Sequence, residues 1–224
     1  MIALALTTDG RRECIERTIP SLLERVHGID GPKLIFDDSG EQRYRDWLRE
    51  AYQPLGFWVT PVERERIGQD QALRIIYKHL SRPTYAEHPF VFWSEDDFVY
   101  ERDVDLAEMA AVLQERPYLA QMALLRQPWF ASERRAGGII ERDPDEYEHV
   151  VDGDREWFEH RLWFTLNPHL CRRELFGRQR PVGRRHEWRF SRRLCEDPEA
   201  RFGIWGEGKP WVRHIGEERR GRGY

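Results

Sequence analysis

The stretch FVFWSEDDFVY, residues 90–100, sets three consecutive carboxylates, Glu95, Asp96 and Asp97, between two apolar runs. Phe90–Trp93 reads as a buried strand, because an unbroken apolar run suits a strand covered on both faces. Like charges in a row repel, and a buried carboxylate costs several kcal/mol unless a cation or hydrogen bonds meet it. The run is therefore either a solvated strand end or the seat of a cation. The residues upstream bear on the choice.

Ile2–Leu6 is a short apolar run that ends in TTDGR. Arg12–Val26 carries Ile15, Ile19, Leu22, Leu23 and Val26 at helical spacing, with Pro20 as a point where a kink is expected. Lys33–Phe36 is a second strand, ended by DDSG, and Glu41–Tyr52 is helical. Phe57–Pro61 reads as an edge strand, and Gln69–Leu80 as a helix led by Gly68. Strands and helices thus alternate up to Phe90–Trp93. That pattern predicts an α/β fold with a mostly parallel sheet, whose ligands sit at the C-terminal strand ends. TTDGR, DDSG and SEDD would converge on one edge.

Further on, Val104–Glu115 is predicted as a helix and Leu119–Leu125 as a strand. Residues 126–159 read as a polar loop or small hairpin covering the site. Trp163–Asn167, Gly203–Trp205 and Trp211–Ile215 read as strands, His186–Leu194 as a short helix, and the tail GEERRGRGY as mobile. Trp157, Trp163, Trp188, Trp205 and Trp211 crowd this half; stacking on a sugar or a base is one use for them, and most are expected in the core or in lobe packing. The chain of 224 residues reads as one domain, with residues 1–100 as one half and 101–224 as the other.

The formal net charge of −4 hides an asymmetry. Residues 161–224 hold 16 basic and 8 acidic side chains, so the rest of the chain is strongly acidic. A basic third suggests a polyanionic partner, and a solvated Arg-rich surface explains it equally well. No apolar run reaches the roughly 20 residues that span a bilayer. The start lacks a charged leader, and the three cysteines form no zinc or disulfide pattern, so a cytoplasmic protein is expected.

One or two Asp at a strand end hold Mg²⁺ or Mn²⁺ against a diphosphate, and SEDD suits that use. Asp37 and Asp38 stand where an acid contacts a ribose or base in such sheets, and an Asx turn accounts for them too. Gly10 permits close backbone approach, and Arg11 has the reach and charge for a phosphate. His214 is a possible ligand for Mn²⁺ and Glu187 a possible general base, each with a plain structural alternative. Neither a GxGxxG fingerprint nor a Walker loop occurs.

Taken in order, ALTTDGRRECIERTIPSLL, LIFDDSG, RIGQDQALRIIYKHL with FVFWSEDDF, and LNPHLCRRELF with HEWRF and RHIGE resemble a GT-A glycosyltransferase, inverting and family-two-like. The resemblance implies a Rossmann-like GT-A sheet with a small C-terminal acceptor-side lobe. It implies transfer of a sugar from a nucleotide diphosphate sugar, most simply a UDP-sugar, to a hydroxyl. Thr7, Thr8, Asp9, Arg11, Asp37, Asp38, Gly68, Glu95 and Asp96 would bind the donor. Asp97 and His214 would bind Mn²⁺ or Mg²⁺, and Glu187 would be the catalytic base. The motif here is EDD rather than DxD, which leaves open which of its acids binds the metal. The expected acceptor is a hydroxymethylated pyrimidine in DNA, as in phage modification systems, with protein or glycan as the rival. Two other classes use the same features: a metal-dependent nucleotidyltransferase or nuclease, and a non-catalytic nucleic-acid-binding module.

Overall fold

The computed structural model describes residues 1–177 and 186–216. Its first hundred residues form β1 (Ile2–Thr8), α1 (Arg12–Arg25), β2 (Val26–His27), β3 (Lys33–Asp37), α2 (Gln42–Tyr52), β4 (Phe57–Pro61), α3 (Gln69–Leu80), β5 (Phe90–Glu95) and β6 (Phe98–Tyr100). The expected alternation is present, with β2 and β6 as short additions. Pro20 lies inside α1 without ending it. Ile15, Ile19 and Leu22 on both sides of it are fully buried, so tertiary packing holds the turns that flank the missing N–H.

β4, β3, β1 and β5 lie side by side in that order, all parallel. The period-2 alternation of strand side chains divides the core. Leu4, Leu6, Ile35 and Phe92 face α1 and α2 on one side. Ala5, Leu34, Phe36, Val91 and Trp93 face α3 on the other. Chain order reverses at β1, with β3 and β4 on one flank and β5 on the other. A crevice opens beyond the strand ends at such a switch point. Here the ends are Thr8 and Glu95, just before DGR and DD.

The second half is built onto the same sheet. Its elements are β7 (Val104–Asp105), α4 (Leu106–Glu115), β8 (Leu119–Ala123), α5 (Ala131–Ala136), α6 (Ile139–Arg142), β9 (Glu148–Asp152), β10 (Arg155–His160), β11 (His169–Arg172), α7 (Glu174–Gly177), α8 (His186–Glu196), β12 (Arg201–Trp205) and β13 (Val212–His214). From β5 the sheet continues β11, β8, β12, β10, β9, nine strands among the described residues. Only β11 and β10 run against the others, so the sheet is mostly parallel. The Asp105 carboxylate caps α4, accepting from the Ala107 N–H at 2.8 Å.

One expectation fails here for a physical reason, and a second holds in part. Trp163–Asn167 is not a strand, and the strand begins at His169. Phe164 and Leu166 are buried as their apolarity suggests, but the Thr165 N–H donates to the Gln121 side chain at 2.9 Å instead of to a ladder. Residues 126–159 include the small hairpin that is the alternative to a loop, but it lies at the far sheet edge rather than over the site. They hold α5 and α6 and then β9, which pairs with β10 at the far sheet edge. Residues near Trp211–Ile215 form β13 as expected, but it pairs with β6 outside the main sheet. Trp157 and Trp205 are core residues, and Trp211 lies under the Arg102 guanidinium at 4.1 Å. The tail expectation falls on residues 217–224, outside the described residues.

Two buried histidines contribute to the acid response. Burial holds the imidazole of His160 down to about 3 and that of His169 down to about 4. Both therefore stay neutral in the folded chain and protonate near 6.5 once unfolded. Below that pH the unfolded chain binds more protons, so stability falls as pH drops from about 6.5 toward 4. Melting temperatures measured at pH 7 and pH 5 should show the lower value at pH 5, and should lose part of that difference in His160→Gln.

Candidate active site

The carboxylate run sits on the turn between β5 and β6, not on a solvated end. Asp96 is 0% exposed and Asp97 is 3% exposed. Arg11, at the foot of α1, answers the charge. Its guanidinium pairs with Asp96 Oδ1 and with Asp97 Oδ2, and its Nε lies 2.8 Å from Asp9 Oδ1. Arg66 holds the other oxygen of Asp9 at 2.6 Å. Gly10, at φ +100°, lets the chain turn from β1 into α1 so that Asp9 and Arg11 both face the crevice.

A hydroxyl chain steadies Asp96. Tyr44 donates to Thr8 Oγ1 at 2.7 Å, and Thr8 donates to Asp96 Oδ2 at 2.6 Å. Thr18 of α1 donates to the Asp96 carbonyl at 2.6 Å. Burial pushes the Asp96 carboxyl up, against the pull of Arg11, and Asp97 adds to the rise. Burial acts on Asp97 in the same sense, but hydrogen bonding to His214 and the charge of Arg11 prevail and hold it down. Asp97 is therefore the more acidic member of the pair. Burial, with Asp96 adding to it, pushes the neighbouring Cys14 thiol up to about 12, so it offers no thiolate.

His214 arrives from 117 positions further along the chain through the β13–β6 pairing, in which it stands opposite Phe98. Its Nε2 lies 3.2 Å from Asp97 Oδ2. Gln127 grips the same backbone, accepting from the His214 N–H and donating to its carbonyl, each at 2.8 Å. Trp129 stands edge-on to the imidazole at 4.1 Å. Glu133, 1% exposed, receives Arg126 and the N–H groups of Trp129 and Phe130, which fixes that aromatic corner. A Cβ on Gly216 would stand 2.7 Å from Asp97 Oδ2 and 2.8 Å from the imidazole, so any larger residue there would push on both side chains.

A divalent cation suits this corner. Asp97 Oδ1 is buried without a hydrogen bond, His214 Nδ1 likewise, and the two side chains already touch. No cluster of three or more His, Cys, Asp or Glu side chains in metal-binding arrangement exists among the described residues. Two protein donors still fit Mg²⁺ or Mn²⁺, which keep open positions for water and substrate phosphate.

Beside the carboxylates lies an open cleft, lined by Thr7, Thr8, Asp9, Arg11, Phe36, Asp38, Arg66, Gln69, Ala72, Leu73, Ile76 and Glu95. Six of the donor-binding residues expected from the sequence therefore meet in one cavity, with Asp96 and Asp97 beneath them. Asp38 anchors the loop before α3, accepting from the Ile67 N–H at 3.2 Å and from the Gly68 N–H at 3.0 Å. Gly68 thus serves the loop and is absent from the lining. Asp37 is also absent from it: it is 0% exposed and paired with Arg45 at 2.8 Å. Glu187 falls in the first turn of α8, and its side chain lies outside the described residues. Sequence reading missed Arg66, Gln69, Thr18, Tyr44 and Glu133. None has a local pattern that separates it from an ordinary surface or core residue.

No protein-family model matches the sequence, and no curated protein matches it. Solved structures do. S. aureus TarS residues 1–349, in complex with UDP-GlcNAc, aligns with TM-score 0.63 at 15% identity, over 99% of this chain and 59% of that one. The mannosyltransferase PcManGT from Pyrobaculum calidifontis, in complex with GDP-Man and Mn²⁺, aligns with TM-score 0.59 at 13% identity, over 96% and 56%. The fold is therefore that of the GT-A glycosyltransferases, as the sequence motifs implied. The chain spans less than two thirds of the length of these chains.

Proposed function

We propose that the chain transfers a sugar from a nucleotide diphosphate sugar to a hydroxyl acceptor, with Mn²⁺ or Mg²⁺ at Asp97 and His214. The observation that carries this reading is the joining of Asp9, Arg11, Asp96 and Asp97 at a β1/β5 switch point, beside a cleft with a charged rim and an apolar wall. The solved neighbours support it: TarS is named with UDP and with UDP-GlcNAc, and PcManGT with GDP-Man and Mn²⁺.

In this reading Phe36, Leu73 and Ile76 give the base an apolar wall, and Asp38 keeps lone pairs for a base or ribose donor. Arg11 and Arg66 lie where a diphosphate gains charge-assisted bonds. Asp96, held by Thr8, faces the ribose or the sugar. The metal, when bound, neutralises charge on the departing diphosphate. Glu187 takes the acceptor proton, and attack opposite the leaving group inverts the anomeric carbon. For the acceptor, the basic balance of residues 161–224 favours a polyanion, and a hydroxymethylpyrimidine in DNA is the reading we keep. A UDP-sugar is the donor we expect. No helix among the described residues is long and apolar enough to cross a membrane. The three free cysteines suit the reducing cytoplasm in which we place the reaction.

The test is the product. UDP- and GDP-sugars incubated with the chain and Mn²⁺ should release nucleoside diphosphate slowly to water and faster to an acceptor, and chelation should stop both. Glu187→Gln should lower the rate about 10²–10⁴-fold, the range of general-base catalysis. Release of nucleoside monophosphate or pyrophosphate instead would mean that the carboxylates activate a phosphate, as in a nucleotidyltransferase or nuclease.

A further inference from the structure

We infer that Arg11 is a resident counter-cation which couples metal binding to diphosphate binding, an assignment that rests on the function proposed above. Arg11 is 8% exposed, and its three nitrogens meet three separate carboxylates, those of Asp9, Asp96 and Asp97. One of its contacts, Asp97 Oδ2, is the oxygen that also faces His214 Nε2 at 3.2 Å. The guanidinium and a divalent cation therefore draw on the same carboxylate. Arg66 adds a second positive charge on Asp9. Within this cluster three carboxylates meet two guanidinium groups, which leaves little net charge for a metal ion. At a few ångströms in a buried site, repulsion between Arg11 and a divalent cation is strong.

A diphosphate changes this balance. It brings anionic oxygens that satisfy the guanidinium fork in place of Asp97, and it supplies ligands of its own to a hard cation. Metal and nucleotide then bind as a pair, and the carboxylates are never left bare in the empty enzyme. Arg11 acts here as a positioning residue: it governs when Asp97 is available.

The test is a Mn²⁺ titration of the full chain followed by electron paramagnetic resonance of the free ion. It is run alone and with UDP or GDP, and corrected for Mn²⁺ held by nucleotide in solution. The wild-type chain should bind Mn²⁺ weakly alone and at least about 10-fold more tightly with one of the diphosphates. Arg11→Gln should bind Mn²⁺ alone at least about 10-fold more tightly than wild type, and gain less than about 3-fold from the nucleotide. Equal Mn²⁺ affinity in Arg11→Gln and wild type would overturn the inference. If Arg11→Gln does not fold cooperatively, the wild-type chain decides alone: affinity for Mn²⁺ that neither diphosphate changes overturns it. Sugar transfer without this coupling would sink the inference and leave the transferase reading intact. Coupling to a diphosphate with no turnover of any nucleotide sugar would do the reverse.

Discussion

Asp97→Asn should lower sugar transfer by at least about 10³-fold and remove its response to Mn²⁺. The substitution keeps the shape of the side chain and removes the charge that His214 and Arg11 stabilise. A metal that neutralises a leaving diphosphate supplies several kcal/mol to the transition state, and each 1.36 kcal/mol is about a factor of ten in rate. The fold should persist, because Arg11 keeps Asp96 and Asp9 as partners. Initial rates across a Mn²⁺ titration, beside a melting curve, separate the two effects. A variant within about 10-fold of wild type at saturating Mn²⁺ would remove Asp97 from the metal site and return attention to Glu95 and Asp96.

Asp37→Ala should behave in the opposite way, costing stability and leaving donor affinity nearly unchanged. Asp37 is fully buried, accepts from Arg45 Nε and from the Ser39 N–H, and is absent from the cleft. Truncation strands the Arg45 charge in a site where it is only 7% exposed. Breaking one side of a buried pair costs about 3–5 kcal/mol. Denaturant midpoints should fall accordingly, and replacing both partners by apolar residues, Asp37→Leu with Arg45→Met, should recover part of the loss. An unchanged midpoint together with donor affinity more than about 10-fold weaker would make Asp37 the nucleotide contact that its sequence position suggests.

These two aspartates mark how far the sequence could be read. The alternation of apolar runs and helical spacing located β1, β3, β4, β5, α2 and α3, because each is decided by a few consecutive side chains. The position of acids after strands located the edge where the site lies. Adjacent acids on one turn, however, have the same local pattern and opposite fates. Asp37 turns to Arg45 on α2, and Asp38 turns to the loop before α3. Tertiary partners alone separate them.

Distance along the chain hid the rest. His214 was legible as a possible ligand, but the β13–β6 pairing that sets it beside Asp97 has no local signal. Arg11 was read as a phosphate contact, and nothing in TTDGR announces that it serves three carboxylates at once. The strand at His169–Arg172 was missed because the apolar residues before it are buried without being paired in the sheet. Glu133 resembles any surface acid until the loop folds around it.

The central claim is that this edge of the sheet binds a nucleotide sugar with a divalent cation. The most direct test is the melting temperature of the chain with each UDP- and GDP-sugar, with and without Mn²⁺, since a ligand that binds only the native state raises it. The account predicts a rise with at least one donor that depends on Mn²⁺ and disappears in Asp97→Asn. No rise with any donor, beside DNA binding that neither chelator nor Asp97→Asn alters, would contradict it.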